Sequence, residues 1–136
     1  MDQLRIEGAI ARPLALDAAR LADLPGQIAD VAELVPGRSG RGVRVASLLA
    51  LAEPHPDATT ATLISGDGRF AAEAPLDTVR TGIVVYRLGD GPLPSELGGP
   101  LRFLLVDAQD CAPDGKPSAC SNVKQLSAIR IEAPRG

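Results

Sequence analysis

Glycine and proline occur throughout this chain, and most of them lie between short apolar runs. The 136 residues include 14 Gly and 12 Pro. Because these two residues favour turns and interrupt helices and strands, no run between them is long. The sequence therefore predicts many short elements joined by turns. Its length suits one compact domain, residues 1–136, whose core needs no metal or crosslink.

Alternation of apolar and polar residues predicts that most of these elements are strands. A strand with one buried face repeats its apolar residues at every second position. The pair Asp67-Gly68, between two such runs, is a strong signal for a hairpin turn, in which the Asp67 carboxylate can cap neighbouring amides. The predicted strands cover residues 4–10, 27–35, 59–65, 69–72, 82–88, 101–106 and 128–132.

Helices are predicted at two places. Asp17 can accept a hydrogen bond from the free amides of a helix over residues 18–24, which Pro25 and Gly26 end. A short strand within residues 43–52 leads into a second helix, with apolar residues on one face at Val45, Leu48, Leu49 and Ala52. Many strands with few short helices make the predicted fold class α+β, and mainly β.

Composition and charge indicate which kinds of partner this chain can bind. The aromatic residues are only Phe70, Tyr86 and Phe103, and the formal net charge is −3. Nucleic-acid binding normally needs stacking side chains and a basic surface, so no nucleic-acid partner is expected. A small anionic ligand in a local arginine pocket is compatible with this charge. No oligomeric state is predicted.

No apolar run approaches the roughly 20 residues that span a bilayer, and the first residues do not resemble a signal peptide. No membrane contact is therefore expected. The sequence predicts a cytoplasmic protein, or a periplasmic one if a leader sequence has been removed.

Cys111 and Cys120 are the only cysteines. Three interpretations remain open: a disulfide that closes a short loop, a metal or thiolate site, or two unpaired thiols. A metal would need further ligands such as Asp107, Asp110 or Asp114, because two cysteines do not complete a tetrahedral zinc site.

Two other groups of residues could serve as sites. Arg38, Arg41 and Arg44 lie on a Gly-rich segment that could bind an anion or could be a solvated basic turn. His55 is the only histidine, so a Ser-His-Asp triad would have to use it. Its position between two prolines favours an exposed loop, and hydrolase chemistry is not expected.

Two motifs towards the C-terminal end are more specific. They are Gly98-Gly99-Pro100-Leu101-Arg102 and Asn122-Val123-Lys124. With the order of the elements that precede them, they resemble the molybdopterin-binding domain of the sulfite oxidase family, over nearly the whole chain from Leu4 to Glu132. The resemblance implies that family's fold, with mixed β-sheets, a barrel-like core and a few short helices.

The resemblance also implies a site and a cofactor. In that family the arginine and the lysine of these motifs surround the pyranopterin cofactor and the anion bound beside it. By position these roles fall to Arg102 and Lys124, with Asn122 as a polar contact and Arg38 or Arg41 as phosphate partners. Molybdopterin is the cofactor implied, and the Cys111 to Cys120 loop would lie near the mouth of its cleft.

The sequence departs from the family at two positions. The family's molybdenum is held by a cysteine thiolate after the second strand, and residues 29–43 contain no cysteine. We therefore expect that the usual molybdenum site does not assemble. Leu97 stands where the larger enzymes often have a histidine that helps to hold the cofactor.

Three hypotheses for function follow. The preferred one is a molybdopterin-domain-like protein that binds a pterin-type or other small anionic ligand without the usual molybdenum redox catalysis. In the second, the protein is an active molybdenum-dependent oxidoreductase that uses Cys120 or Cys111 as thiolate, or binds the cofactor without a protein thiolate. In the third, the domain has kept only the fold and has a structural or partner-binding role.

Overall fold

The computed structural model describes residues 4–34, 40–65, 71–89, 91–94, 99, 101–105, 122–123 and 125–133. Strands dominate this part of the chain. The strands are β1 (Leu4–Gly8), β2 (Leu14–Leu16), β3 (Gln27–Ile28), β4 (Arg41–Arg44), β5 (Thr60–Ser65), β6 (Ala71–Pro75), β7 (Ile83–Leu88), β8 (Gly91–Pro92), β9 (Arg102–Leu104), β10 (Asn122–Val123) and β11 (Leu126–Glu132). The helices are α1 (Ala18–Ala22), α2 (Val45–Ala52) and α3 (Leu76–Arg80), with one 3₁₀ turn at Val31–Glu33.

The strands form two sheets. The first has five strands in the order β2-β1-β11-β5-β6. In it β1 runs parallel to β11, so the first and last strands lie side by side, and the other neighbours are antiparallel. The second sheet has six strands: β10-β9-β7-β4-β3 in order, with β8 paired to β7.

The main core joins both sheets and all three helices. Its side chains are buried because one face of each sheet and the apolar faces of the helices cover one another. It includes Leu4, Ile6, Leu63, Ile129 and Ile131 from the first sheet, Val43, Val84 and Phe103 from the second, and Leu21, Leu48 and Val79 from the helices.

A smaller second core covers the other face of the six-stranded sheet. It consists of Ile28, Val31, Ile83, Val85, Leu93 and Leu104. Strand β7 is therefore buried on both faces, which explains why its sequence begins with the continuous apolar run IVVY rather than alternating.

Several local predictions are confirmed. The fold is α+β and mainly β, with mixed sheets and short helices. The Asp17 carboxylate accepts a hydrogen bond from the Arg20 amide at 2.9 Å, as a helix N-cap does. The apolar face predicted for α2 is the buried one.

Other predictions need correction. The strand predicted over residues 27–35 ends at Ile28, because the Asp30 carboxylate accepts the Ala32 amide at 3.0 Å and starts the 3₁₀ turn. The first strand ends at Gly8 and the first helix at Ala22. Neither β2 nor α3 was predicted. The predicted turn at Asp67 lies outside the described residues.

Candidate anion-binding site

Arg102 is the first residue of β9, and it is only 7% exposed. It lies directly opposite Val85 of β7. Side chains alternate between the faces of a sheet, and Leu101 and Phe103 on either side of Arg102 both belong to the main core. Arg102 therefore projects from the other face, where Val85 and Leu104 form part of the second core.

The entry to β9 explains why its motif contains glycine. Gly99 donates its backbone N–H to the Pro94 carbonyl oxygen at 2.9 Å. A Cβ atom at Gly99 would overlap the Leu93 carbonyl oxygen, so only glycine lets the two backbone segments approach this closely. Leu93 in turn belongs to the second core. The motif thus fixes the chain just before Arg102 against the core that Arg102 adjoins.

The environment of Arg102 favours anions. A guanidinium stays charged even when buried, and apolar neighbours strengthen any electrostatic interaction that it makes. Arg102 already has an interaction partner within the protein. Its five N–H donors in a planar fork can serve a protein group and a ligand together.

The other residues predicted from the two motifs lie in or beyond β10. Strand β10 pairs with β9 so that Asn122 is opposite Leu104 and Val123 is opposite Phe103. The backbone of Asn122 therefore lies on the strand next to β9, the strand that Arg102 begins. Lys124 follows β10 directly in sequence but lies outside the described residues, as do Arg38, Leu97, Cys111 and Cys120.

Arg41 does not share a face with Arg102. Its neighbour Gly42 faces the second core, because a Cβ there would meet side-chain atoms of Ile83 and Val31. Arg41 therefore projects to the side of the main core. There its Nε donates to the Tyr86 hydroxyl at 3.1 Å and to Gln27 Oε1 at 3.4 Å.

Arg87 is a further cation that sequence analysis missed. It lies opposite Arg41, and a register shift in the pairing of β4 with β7 leaves one extra β7 residue there, as in a β-bulge. Simple alternation along β7 would have put Tyr86 and Arg87 on opposite faces. The sequence signal for this bulge is the spacing of Val85 and Leu88. These apolar residues lie three positions apart and both pack against the second core, whereas residues three apart in a regular strand face opposite sides.

His55 lies in a loop, with its side chain 57% exposed and its Nδ1 3.9 Å from an Asp57 carboxylate oxygen. The predicted exposed position is what the structure shows. Asp57 is also largely exposed, so the pair has no enclosed environment for catalysis.

Comparison with known proteins identifies the family. Residues 38–132, more than half of the chain, match the family described as the oxidoreductase molybdopterin binding domain. The chain belongs to this family. The resemblance to the sulfite oxidase family predicted from the two motifs is thereby confirmed. A comparison with curated proteins found no match.

The fold of the family is also found among solved structures. The crystal structure of the sulfane dehydrogenase SoxCD from Paracoccus pantotrophus matches with a TM-score of 0.69 and 17% sequence identity. The match covers 97% of this chain but 39% of the SoxCD chain. The likeness therefore concerns one part of that enzyme and shows a shared fold.

The family's cofactor can be compared with the residues present. A buried arginine whose backbone is held in place suits the anionic groups of a pterin cofactor. The thiolate that the resemblance implies for molybdenum has no counterpart within residues 29–43, which contain no cysteine. Among the described residues there is also no cluster of three or more His, Cys, Asp or Glu side chains that could hold a metal. Of the described residues, Arg102 could hold an anionic group of the cofactor, and residues 29–43 supply no thiolate for the metal.

No helix in the described part of the chain is long and apolar enough to cross a membrane.

Proposed function

We propose that this domain binds a pterin-type or other small anionic ligand, with Arg102 as its principal anchor. The observation that carries the proposal is the burial of Arg102, 7% exposed, on the face of the second core. A buried guanidinium keeps its charge, and its five N–H donors can serve the partner that Arg102 has within the protein and an anionic ligand together. Family membership makes a molybdopterin-type ligand the first candidate.

Two more residues complete the proposed site. Asn122 belongs to the strand that pairs with β9, and Lys124 comes two positions after it in sequence. A guanidinium binds two oxygen atoms of one phosphate in a fork, whereas an ammonium adds a compact charge. We assign Arg102 the first role, Lys124 the second, and Asn122 a polar contact. Arg41 is left out of this site because it projects from the other face of the sheet.

The proposal does not include oxidation of a substrate at the family's usual molybdenum site. That chemistry requires a soft thiolate ligand from the segment after the second strand, and no residue of that segment can supply one. In the family the redox chemistry belongs to the bound cofactor, and this proposal does not extend to it. The residues of this chain would bind and orient its anionic groups.

The test is the composition of the purified protein. The wild type and the variants Arg102→Gln, Arg102→Lys and Lys124→Gln are produced in a host that makes molybdopterin. Released small molecules are identified by mass spectrometry, and molybdenum, tungsten, zinc and iron by elemental analysis. Arg5→Gln, an exposed charge on the first sheet, is the matched control.

We expect the wild type and Arg5→Gln to carry the same amount of an anionic pterin. Losing one charge-assisted contact costs about 1.5–3 kcal/mol of binding free energy. Arg102→Gln and Lys124→Gln should therefore carry at least ~10-fold less pterin than the wild type. Arg102→Lys, which keeps the charge at a buried position, shows whether a loss reflects binding or misfolding. Equal pterin content in all variants would remove Arg102 as the anchor.

Two other outcomes would overturn the proposal in different ways. Stoichiometric molybdenum or tungsten, lost on Cys120→Ala or Cys111→Ala, would show an active oxidoreductase with a thiolate from another segment. Protein without metal, pterin or affinity for small anions would indicate a structural or partner-binding domain on the same fold.

A further inference from the structure

A second cluster of polar groups lies on the opposite face of the six-stranded sheet from Arg102. The Tyr86 hydroxyl donates to Gln27 Oε1 at 2.5 Å and accepts from Arg41 Nε at 3.1 Å. The Gln27 amide nitrogen donates to the carbonyl oxygens of Leu21 and Leu24, at 2.6 and 2.9 Å. These contacts fix the orientation of the half-buried Arg41 guanidinium through its Nε.

The terminal nitrogens of Arg41 take no part in these contacts. Nη1 and Nη2 have no hydrogen-bond partner among the described residues. An arginine whose orientation is already fixed loses little conformational entropy when these nitrogens bind a ligand. Nη1 and Nη2 of Arg41 are therefore positioned to bind a group that the described part of the chain does not provide.

The β-bulge brings a second guanidinium to the same face. Tyr86 belongs to the main core, whereas Val85 before it and Leu88 after Arg87 pack against the second core. Both Tyr86 and Arg87 therefore project to the side of Arg41, which lies opposite Arg87 in the pairing of β4 with β7. A bulge can redirect a side chain in this way.

Two arginines opposite each other repel, and no described carboxylate relieves the repulsion. The ion pairs among the described residues involve Arg12, Arg80, Arg130 and His55, and neither Arg41 nor Arg87 is among them. Like charges directly opposite on neighbouring strands are destabilising. An anion between the two guanidinium groups would turn this repulsion into attraction.

We propose that Arg41 and Arg87 form a second oxyanion site, for inorganic phosphate or a phosphate monoester. Two guanidinium forks can contact three or four oxygen atoms, which a tetrahedral oxyanion offers and a carboxylate does not. Tyr86 and Gln27 are positioning residues that hold Arg41. The site is separate from the Arg102 site because the two arginines leave opposite faces of the sheet.

The test is a titration of the full chain with inorganic phosphate and, separately, with phenyl phosphate. Backbone amide shifts are followed by NMR at constant pH and ionic strength. The variants are Arg87→Gln, Arg41→Gln and Arg102→Gln. Arg44→Gln is the control, since Arg44 is an exposed arginine on the same strand as Arg41.

We expect saturable shifts at the amides of β4 and β7 around Arg41 and Arg87, and at least ~10-fold weaker binding in Arg87→Gln and Arg41→Gln. Arg44→Gln should bind as the wild type does, and in Arg102→Gln the shifts around Arg41 and Arg87 should persist. Tighter binding of phenyl phosphate would assign the site to a monoester, and equal binding to the free oxyanion. Arg87 is exposed, so its variant tests the site even if Arg41→Gln does not fold.

Three results would overturn the proposal. Shifts that do not saturate would show no site. An equal loss in Arg44→Gln would show only a general attraction to basic surface. A loss in Arg102→Gln alone would assign the phosphate to the Arg102 site, and would leave the proposed function intact while removing the second site.

Discussion

Tyr86 is only 2% exposed, yet its hydroxyl links side chains from two other strands. It donates to Gln27 and accepts from Arg41, while Gln27 also holds two carbonyl oxygens at the end of α1. A buried polar group is tolerated when its partners are complete, and removing one partner leaves the others unsatisfied. This hydroxyl therefore connects β7 with β4 and with the chain that follows α1.

Tyr86→Phe removes that hydroxyl and keeps the ring. We expect the free energy of unfolding to fall by about 1–2 kcal/mol, because Gln27 Oε1 loses its closest donor in a partly buried position. Urea denaturation followed by far-UV circular dichroism measures the change.

The control for Tyr86→Phe is Thr81→Val, which removes an exposed hydroxyl that donates to the Thr78 carbonyl oxygen at 2.7 Å. Water can replace that bond, so the expected change is within about 0.5 kcal/mol. Similar losses in the two variants would contradict a special role for the Tyr86 hydroxyl.

Strand β9 depends on the segment that leads into it. The Gly99 amide is bonded to the Pro94 carbonyl, and there is no room for a Cβ beside the Leu93 carbonyl. Because a backbone oxygen cannot rotate away as a side chain can, a larger residue at Gly99 must move one of the two segments. Such a movement would displace Arg102, which begins β9.

Gly99→Ala should therefore lower the free energy of unfolding by about 2–3 kcal/mol, the upper range for an overpacked site. It should also reduce the amount of bound anionic ligand. Gly91→Ala is the matched control, since a Cβ at Gly91 would meet no atom within 4 Å. It should be neutral or slightly stabilising, and urea midpoints of the two variants compare them. Equal midpoints would mean that the Leu93 segment adapts easily.

Sequence patterns predicted those elements whose causes are local. The Asp17 cap and the apolar face of α2 are encoded within one or two turns of helix. The strand predicted over residues 27–35 was too long because alternation continues past Ile28, while the Asp30 side chain bonds the backbone instead. The parallel pairing of β1 with β11 joins segments over 100 residues apart, and no local pattern signals it.

The candidate site residues could likewise be predicted where their cause is local in sequence, and not where it depends on the pairing of distant strands. Arg102 was found because a short motif surrounds it, and Gly99 in that motif has a local packing reason. Arg87 was missed because its direction depends on a bulge, which arises from the pairing of β7 with β4. That Arg41 and Arg102 point to opposite faces could likewise be known only once the sheet was assembled.

At the scale of the whole molecule, the main core is shared by both sheets. Leu63 and Ile131 come from the five-stranded sheet, while Val84 and Phe103 come from the six-stranded sheet, and all four belong to the same cluster. Burial of apolar surface that two sheets share couples their stability. The prediction of one domain over residues 1–136 thus becomes a prediction of cooperative unfolding.

Leu63→Ala tests this coupling, because Leu63 is fully buried on β5 and Tyr86 reports on the other sheet. The chain has one Tyr and no Trp, so tyrosine fluorescence follows the six-stranded sheet alone, whereas far-UV circular dichroism follows all strands. The substitution should cost about 2–5 kcal/mol and shift both transitions to the same lower urea concentration. Thr62→Ala, on the opposite face of β5, should shift them little. If the Tyr86 signal kept its wild-type midpoint in Leu63→Ala, the two sheets would unfold separately and the single-domain prediction would be wrong.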